Sequence, residues 1–101
     1  MDNNINVAMF IHNYNKMARV LEGNHKWLEQ IICVNCALSS LLQAKDELSE
    51  IDSYYIYNTL LMAQALEKKY QGNRAPEVED LVYYLAEISK LSIKKEDFKR
   101  A

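Results

Sequence analysis

Apolar residues recur along this chain at alternating steps of four and three, the period of an α-helix that buries one face. The first series is Val7, Ile11, Tyr14, Ala18 and Leu21, with Phe10 and Met17 alongside. A strand reading of INVAMFIH, from the alternation of Ile5, Val7, Met9 and Ile11, ends where the helical register continues. The strongest segment is Trp27–Leu48. Its main stripe is Trp27, Ile31, Val34, Leu38, Leu41 and Leu48, and Lys45 is the one polar residue in that register. A second stripe, Leu28, Ile32, Cys36 and Leu42, lies beside the first. A helix with two stripes needs neighbours on more than one side, so this segment is predicted to be the central helix.

The second half repeats the pattern. Ile56, Leu60 and Ala63 share a line, with Tyr57 and Leu61 beside it and Met62, Ala65 and Leu66 extending the face. Val78, Leu81, Leu85 and Ile88 form the last stripe, with Val82 adjacent.

The breaks between these series are short. Gly23 suits the left-handed position past a helix end, and Asn24 is a good N-cap for the next helix. QGNRAP (71–76) is a clear loop: Lys68 and Lys69 precede it in a last turn, and Pro76 opens the next helix. Glu77, Glu79 and Asp80 follow at that helix's positive end. The boundary at 49–53 is marked only by Ser49 and Asp52, three apart as in a capping box. One continuous helix from 25 to 70 is the alternative there, and it would need a dimer to bury it.

The pattern therefore predicts an all-α fold in one domain, 1–101. It is a small antiparallel four-helix bundle with helices at about 5–21, 25–48, 53–70 and 77–91. The last stretch, SIKKEDFKRA, either adds a short helical turn capped by Ser92 and anchored by Ile93 and Phe98, or frays.

Composition supports this class. Among 101 residues, half are apolar and only 2 are Gly and 1 is Pro, too few turn formers for an all-β chain. The net charge of −2 gives no global attraction to nucleic acid or to an anionic membrane. No apolar run is long enough for a transmembrane helix. The polar start MDNNINVAMF does not read as a signal peptide, so a cytoplasmic protein with reduced Cys33 and Cys36 is expected. Nine Asn and nine Lys against three Arg suggest an AT-rich coding source, such as a low-GC bacterium or its phage.

Candidate chemistry is sparse. Cys33-Val-Asn-Cys36 is a CxxC, but it lies inside a helix rather than at the N-terminus that would activate a thiol. A zinc site would need two more ligands, and only His12 and His25 are on offer. Two small buried residues explain the pair without chemistry, and no metal or other cofactor is expected. Glu22 and His25 form an ExxH broken by Gly23-Asn24, and His25 with Glu29 is an ordinary i, i+4 pair.

Arg19 and His25 bracket RVLEGNH, and this spacing is similar to the Arg…His motif of HEPN-type ribonucleases. The resemblance covers two residues and implies a helical bundle in which the pair meets at a dimer cleft and cleaves RNA without a metal. Here a turn falls inside the motif, and Val20 replaces the polar residue usual after that Arg. Lys90, Lys94, Lys95, Lys99 and Arg100, with Phe98 interleaved, make a basic C-terminal segment that could hold phosphate. Glu96 and Asp97 dilute it, and a charge run of this kind is ordinarily just a solvated helix end.

Tyrosine is the most informative surface signal. Tyr54, Tyr55 and Tyr57 open the third helix, Tyr83 and Tyr84 lie in the fourth, and Tyr70 sits near the loop. Consecutive residues on a helix point about 100° apart, so some must lie at the surface. Exposed Tyr beside apolar residues is the make-up of a protein interface. The leading expectation is a non-enzymatic protein–protein interaction module, a small regulator or inhibitor that covers a partner protein. Tyr54, Tyr55, Tyr83 and Tyr84 are its contact residues. A homodimer is the second form of this reading. The rival expectations are the HEPN-like ribonuclease using Arg19 and His25, and a nucleic-acid binder using the basic segment.

Overall fold

The computed structural model describes residues 3–51 and 53–91, with side chains over 7–48, 51 and 53–91. Four helices form the predicted all-α bundle: α1 (Asn3–Gly23), α2 (Trp27–Gln43), α3 (Ser53–Lys69) and α4 (Pro76–Ser89). Among the described residues there is no strand, and no helix is long and apolar enough to cross a membrane.

α2 is central: it packs against α1, α3 and α4. Its main stripe is buried as predicted at Ile31, Val34, Leu38 and Leu41. Against these lie Ile11 and Ala18 of α1, Ile56, Ala63 and Leu66 of α3, and Val78, Leu81 and Ile88 of α4. The second stripe is only partly covered. Leu28, Cys36 and Leu42 are half-buried and Ile32 is exposed.

α2 ends five residues before the predicted Leu48. Ala44 leaves the helical conformation (φ −102°, ψ 24°), and its N–H reaches back to the carbonyls of Ser40 and Leu41. The chain then tightens into a 3₁₀ turn, Lys45–Glu50, and becomes extended at Ile51 (ψ 136°). Lys45 is the reason. A continued α-helix would carry it into the core register, where an unpaired ammonium is costly to bury. The tighter turn leaves Lys45 exposed while Ile51 is buried and Leu48 packs against the core. The continuous helix from 25 to 70 is thereby excluded. It would be roughly 69 Å long at 1.5 Å per residue, against a greatest extent of 36 Å.

The α1–α2 connection also differs from expectation. α1 runs through Gly23, and the left-handed residue is His25 (φ 60°). The N–H of Lys26 bonds to the Leu21 carbonyl (2.9 Å) and that of His25 to the Glu22 carbonyl (3.0 Å). These are the two bonds of a Schellman motif with His25 at its left-handed position. Asn24 serves the end of α1, donating from Nδ2 to the Val20 carbonyl (3.0 Å), and does not cap α2. The α3–α4 loop follows prediction. Gly72 takes the positive φ (86°), Asn73 Oδ1 accepts the Ala75 N–H (2.8 Å), and Pro76 opens α4. The proposed capping role of Asp52 and the C-terminal turn at Ser92 lie outside the described residues.

Candidate interaction surface

The orientation of the α3 tyrosines is set by a buried polar contact. Asn15 of α1 and Thr59 of α3 are almost fully buried. Asn15 Nδ2 donates to Thr59 Oγ1 (3.0 Å), and the hydroxyl's own proton can go to the Tyr55 carbonyl (3.0 Å) or to Asn15 Oδ1 (3.1 Å). An unmade bond here would cost the full desolvation of the group, so the pair fixes which side of α3 faces α1. Ile56, Ala63 and Leu66 are buried on that same side.

The opposite side of α3 carries Tyr54, Tyr57 and Leu61, spaced i, i+3, i+7, with exposures of 50%, 39% and 45%. Tyr55 turns inward: it is half-buried, packs on the core and meets the His12 ring edge-on at 5.6 Å. It also meets Tyr54 at 5.9 Å. α4 repeats the division. Tyr83 is 59% exposed and Tyr84 packs against the core, with the two rings 5.7 Å apart. Val82, beside Tyr83, is exposed as well. Of the four predicted contact residues, Tyr54 and Tyr83 therefore face outward and Tyr55 and Tyr84 lie behind them. Tyr70 has a structural place. It stacks on Trp27 with centroids 4.5 Å apart, under the Lys69 ammonium.

A second pair of elements is joined through Asn35 of α2, whose Nδ2 donates to the Glu77 carbonyl in the first turn of α4 (3.0 Å). Its Oδ1 is buried without a partner among the described residues.

The other candidates are dispersed. Cys33 is buried and Cys36 half-buried, both as free thiols. Burial pushes the Cys33 thiol up, and the neighbouring Cys36 adds to this, the reverse of an activated nucleophile. Arg19 and His25 are both exposed, with His25 in the turn and Arg19 on α1. Glu22 likewise has no helical relation to His25. Lys90 pairs with Glu87 one turn back at 2.7 Å, while Lys94, Lys95, Phe98, Lys99 and Arg100 lie outside the described residues. Among the described residues no group of three or more His, Cys, Asp or Glu converges to hold a metal.

The sequence reading missed two outward features. Tyr57 and Leu61 sit beside the α3 core line in sequence but face solvent. Phe10 and Met17, read alongside the α1 stripe, are exposed with Met9 and Val20. The available signal was width: each of these helices has more apolar residues than one buried arc holds. No family model, curated protein or solved structure matches this chain.

Proposed function

We propose that this chain is a non-enzymatic protein–protein interaction module, a small cytoplasmic regulator or inhibitor that acts by covering a partner protein's surface. The observation that carries the reading is the outward ridge of α3, Tyr54, Tyr57 and Leu61, on the side opposite the buried Ile56, Thr59 and Ala63. Tyrosine suits an interface because a large ring is buried at the cost of only two torsions, and its hydroxyl still finds a partner. Tyr83 and Val82 give α4 a similar outward pair. Tyr54 and Tyr83 are the leading contacts. Tyr55 and Tyr84 support them from behind, edge to face with the outer rings.

Affinity capture from the native host, with the wild type and with the Tyr54→Ala Tyr83→Ala variant side by side, tests this. The expected result is a protein retained by the wild type and lost from the variant, with circular dichroism unchanged between the two. Equal retention by both would remove the tyrosines from the interface. RNA degradation abolished by His25→Ala would replace the whole reading with the ribonuclease one.

A further inference from the structure

α1 has an apolar face that no other helix covers among the described residues. Met9, Phe10, Met17 and Val20 are 59%, 56%, 51% and 58% exposed. At 100° per residue the four fall within about 100° of arc, on the side of α1 away from the buried Ile11, Asn15 and Ala18. Asn13 lies in the middle of that arc. Taking Met and Val near the lower end of the about 150–250 Å² of an aromatic side chain, exposures of just over one half make roughly 400 Å² of apolar surface. A monomer can expose that much, but a patch of this size is commonly functional.

We infer that this face is a homodimer seam, in which α1 packs antiparallel against α1 of a second copy about a two-fold axis near Asn13 and Tyr14. Two observations select a second copy as the occupant, and a third sets its direction. The first is area. Interfaces are about three-fifths apolar, so roughly 400 Å² of apolar core implies roughly 700 Å² per partner, inside the range of specific dimers. Tyr14 and Lys16 border the seam and supply its polar rim, and Asn13 lies at its centre.

The second is spacing. The pairs Phe10/Met17 and Met9/Val20 have midpoints at positions 13.5 and 14.5, one residue apart, so one axis near Asn13 and Tyr14 serves both pairs. Reversal of the helix therefore sets Phe10 of one copy against Met17 of the other, twice by symmetry, as an isologous contact requires. Met9 and Val20 exchange places in nearly the same register. Phe10 also lines an open recess of about 520 Å³ with Val7, Tyr14, Ser40 and Gln43. A flexible Met side chain fills irregular recesses of this kind.

The third is charge. Lys16 and Arg19 are both exposed in the second half of α1. Parallel packing would set each beside its own copy. Antiparallel packing about that axis sets the two Lys16 roughly 8 Å apart and the two Arg19 roughly 16 Å apart along the seam.

Sedimentation equilibrium of the whole chain from low micromolar to hundreds of micromolar provides the test. The mass should rise with concentration toward twice the 11.8 kDa of the chain. Met17→Lys should weaken association at least tenfold while far-UV circular dichroism stays unchanged, and Phe10→Gln serves should Met17→Lys fail to fold. The register is read by oxidative cross-linking. Asn13→Cys should form a disulfide with its own copy, whereas Val20→Cys should not, and should cross-link instead to Met9→Cys in a mixture. A single 11.8 kDa species at every concentration would overturn the inference. So would a dimer indifferent to Met17→Lys, or one in which Val20→Cys self-links as readily as Asn13→Cys. Tyr54→Ala Tyr83→Ala should leave the dimer intact, so loss of this seam and loss of the tyrosine surface are separate results.

Discussion

α2 and α3 are both 17 residues long and are used in different ways. α2 buries eight residues, Gln30, Ile31, Cys33, Val34, Asn35, Ala37, Leu38 and Leu41, and meets all three other helices. α3 buries four, Ile56, Thr59, Ala63 and Leu66, and turns Tyr54, Tyr57 and Leu61 outward. Equal length does not make equal roles. A helix surrounded by neighbours commits its apolar residues to the fold, whereas a helix on the outside has a whole side left over. Substitutions in α2 should therefore be read in stability, and substitutions on the outer side of α3 in binding.

The largest test of that division is Leu38→Ala. Leu38 is fully buried, so the change should cost about 2–5 kcal/mol in urea-induced unfolding. Leu61→Ala, the same chemistry at a 45% exposed position, should cost far less, about 0.5 kcal/mol by the usual behaviour of surface sites. Equal losses at the two positions would break the comparison.

The buried polar tie between Asn15 of α1 and Thr59 of α3 comes next. Thr59→Val removes the hydroxyl and strands the buried Asn15 amide, at about 1–3 kcal/mol. Adding Asn15→Leu should recover part of that loss, because no buried polar group is then left unpaired. A double-mutant cycle with no coupling would mean that the pair does not orient α3.

A smaller effect of opposite sign is expected where α2 is launched. His25 holds a left-handed conformation (φ 60°) that strains a residue with a Cβ. His25→Gly should therefore raise stability by about 1 kcal/mol or less, the cost of left-handed backbone set against glycine's greater unfolded-state freedom. Destabilisation instead would mean that the imidazole makes a contact worth more than the strain.

The smallest effect concerns the α2 thiols. Burial favours the neutral form of Cys33, so the folded chain holds that proton above the ordinary thiol range. In that window the folded state binds more protons than the unfolded one. Stability should then fall as pH rises from the ordinary thiol pKa through the raised one. Cys33→Ala should flatten that alkaline slope, and Cys33 should react with a disulfide reagent more slowly than the half-buried Cys36.

Much of the fold was legible in the sequence because it depends on local rules. The four-and-three spacing located all four helices, Pro76 and Gly72 marked the last loop, and the main α2 stripe is the core. What was not legible depends on neighbours. The stop at Gln43 comes from Lys45 meeting the core register, which matters only once the other helices are in place. Asn15 and Thr59 are 44 positions apart, and no spacing rule pairs them. Adjacent tyrosines had to point in different directions, but Asn15 decides that Tyr55 turns in and Tyr54 out. For α1, Phe10 and Met17 read as flanking the stripe, and their exposure was not legible because the pattern reports apolar width, not how many neighbours arrive to cover it.

Calorimetric titration of a captured partner against three forms of the chain tests the division of roles most directly: wild type, Tyr54→Ala Tyr83→Ala, and Val34→Ala. The tyrosine variant should lose at least tenfold in affinity while its urea midpoint stays near that of the wild type. Val34→Ala should lower the midpoint and keep the affinity wherever the protein remains folded. The opposite pattern, with binding lost through the buried α2 change and untouched by the tyrosines, would contradict the account.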